Sequence, residues 1–413
     1  MDLAPSEAGF DPARLARITG HLERHYIEPE KIAGCQVAVV RKGHVAYWKS
    51  FGRMDRERDK PMRDDAIFRI YSMTKPITSV ALMTLYEQGA FQLDDPVSRF
   101  VPSWRGPQVY ESGDCGAMKT RAPKRPASMR DMLCHTGGLT YGNMLAALGA
   151  PNSAHPVDQA YAAQKIRRDP RETLSDFLEK LAEIPLFYEP GERWMYSLST
   201  DVCGALAERI SGMRFDKFLE ATIFGPLGMK DTAFFVPPDK LSRFCANYRR
   251  RIADKTLQLI DDPETSLYRE EPSFFSGGGG LTSTLSDYLR FAEMLRRGGE
   301  LDGARIIGPR TLELMHQNHL KDGRDLAAMA LSALSETANE GVGFGLGFAS
   351  TIDQVKAGTL GVGDYYWGGA ASTIFWVDPK EDMSVVFMTQ FMPSATFGFR
   401  AQLKNIIYSA IID

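Results

Sequence analysis

The chain has 413 residues, of which 44% are hydrophobic and 24% charged, and its formal net charge is −3 at pH 7. This composition is typical of a globular enzyme, and the small net charge argues against nucleic acid or an anionic membrane as a partner. No apolar run approaches the ~20 residues of a membrane-spanning helix. The N-terminal sequence MDLAPSEAGFDPARL lacks the basic and apolar regions of a secretory signal, so we expect a cytoplasmic protein.

Helical and strand-like patterns follow one another in an order typical of an α/β protein. Amphipathic periodicity predicts helices, and short apolar or alternating runs between turn signals predict strands. In chain order, the predicted elements are a helix at 6–25, strands at 36–40 and 45–48, helices at 74–88, 128–134, 173–184, 200–211, 215–223, 286–297 and 309–317, strands at 343–350, 365–367, 373–377 and 383–390, and a closing helix at 397–412.

The strands lie near the two ends of the chain, and helical patterns dominate between them. We therefore predict a discontinuous α/β core domain from residues 1–95 and 281–413, with one sheet flanked by helices. Residues 96–280 form a mostly helical inserted domain, and a cleft between the two would hold the active site. The glycine run at 277–280 is interpreted as the return from the insertion to the core. A flexible wall of the cleft is the alternative.

The stretch FRIYSMTKPITSVALMTLYEQG, residues 68–89, places a serine and a lysine where a helix begins. Proline is harmless only in the first turn of a helix, so Pro76 puts Ser72 at or just inside the helix N-terminus. Ser72 could simply cap the helix. However, Lys75 follows at i+3, where its ammonium group can reach the Ser72 hydroxyl, although a lysine at this end opposes the helix dipole. This arrangement favours a nucleophile, because free N–H groups there can stabilise an oxyanion.

Two further segments supply candidate partners for Ser72. Tyr196 lies in a turn before a helix, where its phenol could act as a general base near a lysine, and a packed aromatic residue is the alternative. The sequence YWGGA, residues 366–370, follows a predicted strand. Its glycines let a substrate approach the backbone, and the Ala370 N–H could donate to an oxyanion. A β-bulge or edge kink is the alternative there.

Together these segments resemble the serine β-lactamases, the penicillin-binding proteins and their esterase relatives, whose first signature is Ser-x-x-Lys. The three motifs that occur here in the family's order are Ser72-Met-Thr-Lys75, Tyr196-Ser-Leu198 and Trp367-Gly-Gly369. The stretches MLCHTGGL at 132–139 and FGLGF at 344–348 also look like segments of that family. The resemblance covers nearly the whole chain and implies a central antiparallel sheet.

Two departures from the family pattern indicate the branch. Leu198 stands where the β-lactamases carry an asparagine, and Trp367-Gly368-Gly369 replaces their Lys-Thr-Gly. That asparagine and lysine engage the amide and the carboxylate of a β-lactam, so their loss implies a more apolar pocket. The pattern resembles the family VIII carboxylesterases.

Other candidate motifs are set aside on position. His135-Thr136-Gly137 matches a basic-Thr-Gly pattern, but it precedes Tyr196 and lies beside a predicted helix, so we reject it as the third motif. No Gly-x-Ser-x-Gly occurs, which argues against an α/β-hydrolase. Cys134 lies in an apolar-periodic stretch and is interpreted as a buried structural cysteine, with a thiol nucleophile as the alternative.

The resemblance implies a serine esterase that hydrolyses short-chain acyl esters of small molecules, with some weak activity on cephalosporins allowed. Ser72 is the expected nucleophile, and Lys75 and Tyr196 are expected to handle its proton. The N–H groups of Ser72 and Ala370 are the expected oxyanion hole. No cofactor, metal or nucleic-acid partner is expected. The residues expected to contact the substrate are Trp367, Gly368, Gly369, Leu198 and, from its position alone, Tyr141.

Three alternatives remain. The first is a β-lactamase or D-amino-acid peptidase, which the missing asparagine and Lys-Thr-Gly count against. The second is an acyltransferase, in which an alcohol replaces water. The third is a non-catalytic binding domain such as a sensor, which the intact Ser72, Lys75 and Tyr196 argue against.

Overall fold

The computed structural model of the protein describes residues 3–144, 153–167, 171–251, 253–331 and 340–413. Its strands are β1 (Gly34–Arg41), β2 (His44–Asp55), β3 (Lys60–Pro61), β4 (Ile67–Arg69), β5 (Val109–Ser112), β6 (Lys119–Arg121), β7 (Asn247–Arg250), β8 (Leu257–Asp261), β9 (Thr282–Thr284), β10 (Glu300–Leu301), β11 (Ala304–Arg305), β12 (Val342–Phe344), β13 (Ala349–Thr351), β14 (Tyr365–Gly368), β15 (Ile374–Asp378), β16 (Met383–Thr389) and β17 (Phe391–Met392).

The helices are named in the same way. They are α1 (Pro12–Leu15), α2 (Arg17–Leu22), α3 (Thr74–Glu87), α4 (Met129–Leu133), α5 (Pro156–Ala163), α6 (Leu174–Ala182), α7 (Ser199–Ser211), α8 (Phe215–Leu219), α9 (Gly225–Leu227), α10 (Leu285–Arg296), α11 (Pro309–His316), α12 (Leu326–Met329), α13 (Gln354–Ala357) and α14 (Phe399–Tyr408). Of the helices in the described ranges, none combines the length and the apolar character that crossing a membrane requires.

The central sheet has eight strands in the order β12-β13-β14-β15-β16-β1-β2-β3. Each neighbouring pair is antiparallel, and the long β1–β16 ladder joins the two ends of the chain, with Val39 opposite Val385. All eight residues of β1 are buried, which explains their nearly continuous apolar pattern. The predicted antiparallel sheet built from both termini is confirmed.

Helices cover both faces of this sheet. On one face, Tyr288 of α10 contacts the ring of Phe375 on β15, with centroids 5.1 Å apart. On the other face, Phe399 of α14 packs against Phe387 of β16 at 4.9 Å. Most of the described helices between β4 and β9 form the helical part of the molecule, and α7 packs directly on α3. The domain boundaries at residues 95 and 281 stay a prediction.

Helix α3 lies between the sheet and the helical part. Its residues from Thr74 to Leu85 are all buried, so the helix is enclosed by the core on every side. The short β4–β9 ladder pairs the segment before Ser72 with the segment after the glycine run. Both chain segments therefore meet at the N-terminal end of α3.

Several predicted elements differ from the structure in their bounds, and two of the differences have a clear local cause. The strand predicted at 343–350 is a hairpin of β12 and β13, because the chain reverses at Gly345-Leu346-Gly347, where Gly347 has φ +98°. The helix predicted at 6–25 begins later, at Pro12, because the Asp11 side chain accepts hydrogen bonds from the Ala13 and Arg14 N–H groups. It continues through α2 into a π-helical turn, and its predicted apolar stripe of Leu15, Ile18 and Leu22 is buried.

A buried ion pair lies behind β14, the strand that leads to Ala370. The Lys404 ammonium group donates to Asp364 Oδ2, and the two side chains are 5% and 0% exposed. The ammonium group also lies 5.1 Å from the ring centroid of Tyr366. Burial lowers the pKa of Lys404. The charge is therefore tolerated in this place because Asp364 accompanies it.

We predict that Asp364→Ala lowers the free energy of unfolding by about 3–5 kcal/mol, because it leaves the Lys404 charge buried without its partner. Urea unfolding measures this change. Glu313→Ala is the control, because it breaks the exposed pair with Arg310, and such pairs contribute about 1 kcal/mol or less. Equal losses in the two variants would contradict the structural role of the buried pair.

Candidate active site

Ser72 lies immediately before α3, in a 3₁₀ turn formed by Tyr71–Met73. Tyr71 has φ +42°, in the left-handed region, and Pro76 falls in the first turn of α3. The N-cap residue of α3 is Met73, and no side chain caps the helix there. The capping role considered for Ser72 is therefore absent, and its hydroxyl is available for other contacts.

Lys75 brings its ammonium group to the Ser72 hydroxyl. Lys75 Nζ donates to Ser72 Oγ at 3.1 Å, as the i+3 spacing predicts, and the lysine side chain is almost fully buried. Lys75 Nζ also donates to the carbonyl oxygen of Gly278 at 2.5 Å. Two bonds thus fix the ammonium group next to Ser72 Oγ.

The glycine run therefore forms a wall of this site, in addition to returning the chain to the core. Thr78 of α3 donates from Oγ1 to the Gly277 carbonyl at 2.8 Å, and the Leu281 N–H donates to Thr74 Oγ1 at 3.2 Å. The sequence favours the return of the chain to the core as the role of this run and gives a wall of the cleft as the alternative. Four consecutive glycines were the signal, since side chains would obstruct packing this close to α3.

Tyr196 lies in the turn before α7 and faces the same lysine. Lys75 Nζ is 4.6 Å from the centroid of the Tyr196 ring. The Nε1–H of Trp367, on β14, donates to the Tyr196 hydroxyl at 3.4 Å. The ring of Tyr141 lies 5.2 Å from the Tyr196 ring and 5.6 Å from Lys75 Nζ. The structure thus brings together the serine, the lysine, the tyrosine and the tryptophan that the three motifs predict.

The segment after β14 lies against the residues before Ser72. A Cβ on Gly369 would come within 2.3 Å of the Ile70 carbonyl oxygen, so this close approach requires glycine. Among the described loop, turn and cap hydrogen bonds, none uses the N–H of Ser72 or of Ala370. Both groups are available as donors, and the predicted oxyanion hole is consistent with this arrangement.

His135 supports the turn that carries Tyr196. Its ring is fully buried 5.2 Å from the Tyr196 ring, its Nδ1 lies 3.2 Å from Ser197 Oγ, and its Nε2 lies 3.4 Å from Thr200 Oγ1. Burial, together with the nearby Lys75 charge, holds the pKa of His135 well below its usual range, so the imidazole is neutral. Sequence reasoning rejected His135 as the third motif and gave it no other role.

The remaining predicted contact residues differ in exposure. Burial raises the pKa of Tyr141 well above its usual value, and the neighbouring Tyr196 adds to this effect. Gly368 and Ala370 are half-buried, whereas Leu198 is fully buried immediately before α7. The predicted contact of Leu198 with a substrate stays a prediction. Among the described residues, no cluster of His, Cys, Asp or Glu could hold a metal ion.

The chain belongs to the Beta-lactamase family, whose model matches residues 20–407. The predicted superfamily is thus confirmed over almost the full length of the chain. The β-lactamase-like fold is confirmed by the same match and by the solved structure described next.

The relatives include esterases. The chain is 31% identical to Protein Rv1367c of Mycobacterium tuberculosis, over 91% of this chain and 90% of that protein. It is 29% identical to Esterase EstB of Burkholderia gladioli, over 98% of both chains. The solved structure described as "EstCE1, a hydrolase with promiscuous acyltransferase activity" is 28% identical, with a TM-score of 0.78 over 96% of this chain and 99% of that one. These similarities support the family VIII branch.

We predict that the thiols play no part in the chemistry of this site. Cys134 is fully buried, and burial raises the pKa of its thiol, so it should not react. Only the half-buried Cys115 should react with a thiol reagent in the native protein, and all five thiols should react in urea. A Cys115→Ser variant, which should show no native reaction, is the control. Rapid modification of Cys134 with loss of activity would restore the thiol-nucleophile alternative.

Proposed function

We propose that this protein is a serine carboxylesterase that hydrolyses short-chain acyl esters through an acyl-enzyme on Ser72. One observation carries the proposal: the Lys75 ammonium group lies 3.1 Å from Ser72 Oγ and 4.6 Å from the centre of the Tyr196 ring. The same ammonium group thus contacts the serine hydroxyl and faces the tyrosine, so it can assist proton transfer from a nucleophile to a phenolate. The similarity to Esterase EstB and EstCE1 supports this reaction class.

In the proposed mechanism, Ser72 Oγ attacks the ester carbonyl carbon, and its proton passes to the oxygen of Tyr196, which acts as a phenolate stabilised by the Lys75 ammonium group. The carbonyl electrons move onto the oxygen, and the N–H groups of Ser72 and Ala370 hold this oxyanion. When the tetrahedral intermediate collapses, the bond to the leaving alcohol breaks and that oxygen takes the proton. Water then attacks the acyl-enzyme by the same route and releases the acid and free Ser72.

The surroundings of Tyr196 favour an uncharged substrate. Trp367 donates to Tyr196 from the place where the β-lactamase pattern has a lysine, and buried Leu198 occupies the place of its asparagine. A substrate carboxylate would find no partner in either side chain. We therefore propose small uncharged esters as the substrate class, with Trp367, Gly368, Gly369 and Tyr141 nearest to them. Location in the cytoplasm stays a prediction.

Acyl transfer to an alcohol is the second candidate function. EstCE1 is a hydrolase with promiscuous acyltransferase activity, and its structure covers 96% of this chain. The acyl-enzyme is the same in both reactions, and they differ only in whether water or an alcohol attacks it. Addition of an alcohol acceptor to the ester assay would separate them by the product formed.

Replacement of Ser72 by alanine should abolish ester hydrolysis and leave the fold intact, because the covalent intermediate can no longer form. A fluorophosphonate should label wild-type protein once, at Ser72, as read by intact-mass and peptide mass spectrometry. Ser79→Ala is the matched control. Ser79 lies on the same helix with its Oγ buried and without a hydrogen-bond partner among the described residues, so this variant should label normally. Labelling at another serine would disprove the proposed nucleophile.

We also expect uncharged short-chain esters to react far faster than penicillins. Each missing hydrogen bond to a charged group is worth about 1.5–3 kcal/mol, which corresponds to about ten- to more than a hundredfold in kcat/KM. The measurement compares kcat/KM for p-nitrophenyl butyrate, nitrocefin and benzylpenicillin on one preparation. Weak turnover of nitrocefin is allowed, because the nucleophile and the oxyanion donors are retained. Comparable values for benzylpenicillin and the ester would instead place the enzyme with the β-lactamases.

A further inference from the structure

Asp201 is a buried carboxylate beside the site that the proposed mechanism does not use. It is the third residue of α7 and is fully buried. Its Oδ1 accepts hydrogen bonds from Ser276 Oγ at 2.5 Å and from the Gly278 N–H at 3.1 Å. Its Oδ2 lies 3.6 Å from a guanidinium nitrogen of Arg167. A carboxylate buried this completely needs such partners, and one of them, Gly278, belongs to the glycine run while Ser276 directly precedes it.

Gly278 connects this carboxylate to Lys75. The Gly278 N–H donates to Asp201, and the Gly278 carbonyl oxygen accepts the hydrogen bond from Lys75 Nζ. The contact is close, because a Cβ on Gly278 would lie 2.4 Å from Asp201 Oδ2. The position of the carboxylate therefore determines where the Gly278 carbonyl points, and that carbonyl holds Lys75 next to Ser72.

The same carboxylate supplies a negative charge near a buried cation. Both hydrogen-bond acceptors of Lys75, Ser72 Oγ and the Gly278 carbonyl, are neutral. A cation with neutral acceptors is costly to bury, and a carboxylate hydrogen-bonded to Gly278, the residue that supplies one of those acceptors, reduces that cost. Asp201 can thus help both to orient the Lys75 ammonium group and to balance its charge.

We propose that Asp201 is a positioning residue for Lys75, acting through the backbone of Gly278 and through its negative charge. This proposal rests on the proposed function, since it concerns the lysine that assists Ser72. Asp201 touches neither the nucleophile nor the reacting carbonyl, so its effect passes entirely through Lys75.

Other ionisable groups packed around Asp201 and Lys75 would affect the pH dependence of labelling if they changed charge. Burial raises the pKa of Tyr141 and of Cys203 well above their usual values and, with the Lys75 charge, lowers that of His135. These groups do not change charge in the working range, and the Arg167 guanidinium stays protonated.

The experiment measures the rate at which a fluorophosphonate labels Ser72 in wild-type protein and in Asp201→Asn, across pH 5–10. The asparagine keeps the shape and one acceptor but removes the charge. We expect labelling to slow by about 10- to 100-fold, as for a displaced catalytic group. We also expect both limbs of the pH profile to move to lower pH by about half a unit or more, because removal of a negative charge makes nearby protons easier to lose.

Asp287→Asn is the matched control for stability. Asp287 is also buried, and its Oδ2 accepts one backbone N–H, from Asp231, and one hydroxyl, from Thr232. This variant should lose similar thermal stability but label with the wild-type rate and pH profile. Because Asp201→Asn could fail to fold, Gly278→Ala is the second variant. Its Cβ displaces the loop from Asp201 while the charge remains, so labelling should slow and the pH limbs should move less.

The outcomes separate this proposal from the one on which it rests. Suppose that the wild-type protein is labelled at Ser72. An unchanged rate and pH profile in Asp201→Asn would then overturn the role of Asp201 and leave the proposed function standing, and so would an unchanged rate in Gly278→Ala. A wild-type protein that is not labelled at Ser72 would overturn both. Slower labelling in Asp287→Asn as well, with no shift of the pH limbs in either variant, would reduce Asp201 to a structural residue.

Discussion

The site depends on one costly arrangement, an ammonium group buried at the N-terminal end of a helix. Both the helix dipole and desolvation disfavour Lys75 in this place. The structure offsets the cost with two oxygen acceptors, Ser72 Oγ and the Gly278 carbonyl, and with the aromatic faces of Tyr196 and Tyr141. The groups that stabilise the cation are thus largely those that the proposed chemistry uses. With a neutral residue at position 75, these groups would have no buried charge to stabilise.

This requirement explains why distant parts of the chain converge here. Helix α3 supplies Lys75, the turn before α7 supplies Tyr196, β14 supplies Trp367, and the glycine run supplies the second acceptor. The β4–β9 ladder and the contact of Gly369 with the Ile70 carbonyl bring the last two segments to the start of α3. Neither the sheet nor the helical part could build the site alone. The proposed chemistry therefore depends on a fold that brings residues before 90 and residues after 270 to the same place.

Local patterns predicted those parts of the site that depend on short spacing. The Ser72–Lys75 contact follows from i+3 geometry at a helix start, and Pro76 located that start. Tyr196 and Trp367 were found through the order of family motifs, with no local signal to place them beside Lys75. Gly278 as an acceptor, Asp201 and His135 were missed, because each acts through a contact with a segment far away in sequence. The β12–β13 hairpin was missed for a local reason, because the turn made by its two glycines lies inside an apolar run that resembles a single strand.

Trp367 stands where the β-lactamase pattern has a lysine, and this difference affects the proposed transfer of the Ser72 proton to Tyr196. In the β-lactamase pattern a lysine stands at this position, and a second positive charge there would stabilise a phenolate on Tyr196. Here the Trp367 N–H donates a neutral hydrogen bond to the Tyr196 oxygen, so the positive charge in direct contact with the tyrosine comes from Lys75. The neutral state of His135, which burial and the lysine enforce, adds no further charge. In the proposed mechanism, proton transfer from Ser72 therefore depends on the placement of the Lys75 ammonium group. The proposal thus gives the acceptors of Lys75, and the carboxylate that contacts Gly278, more weight here than in a site with two cations.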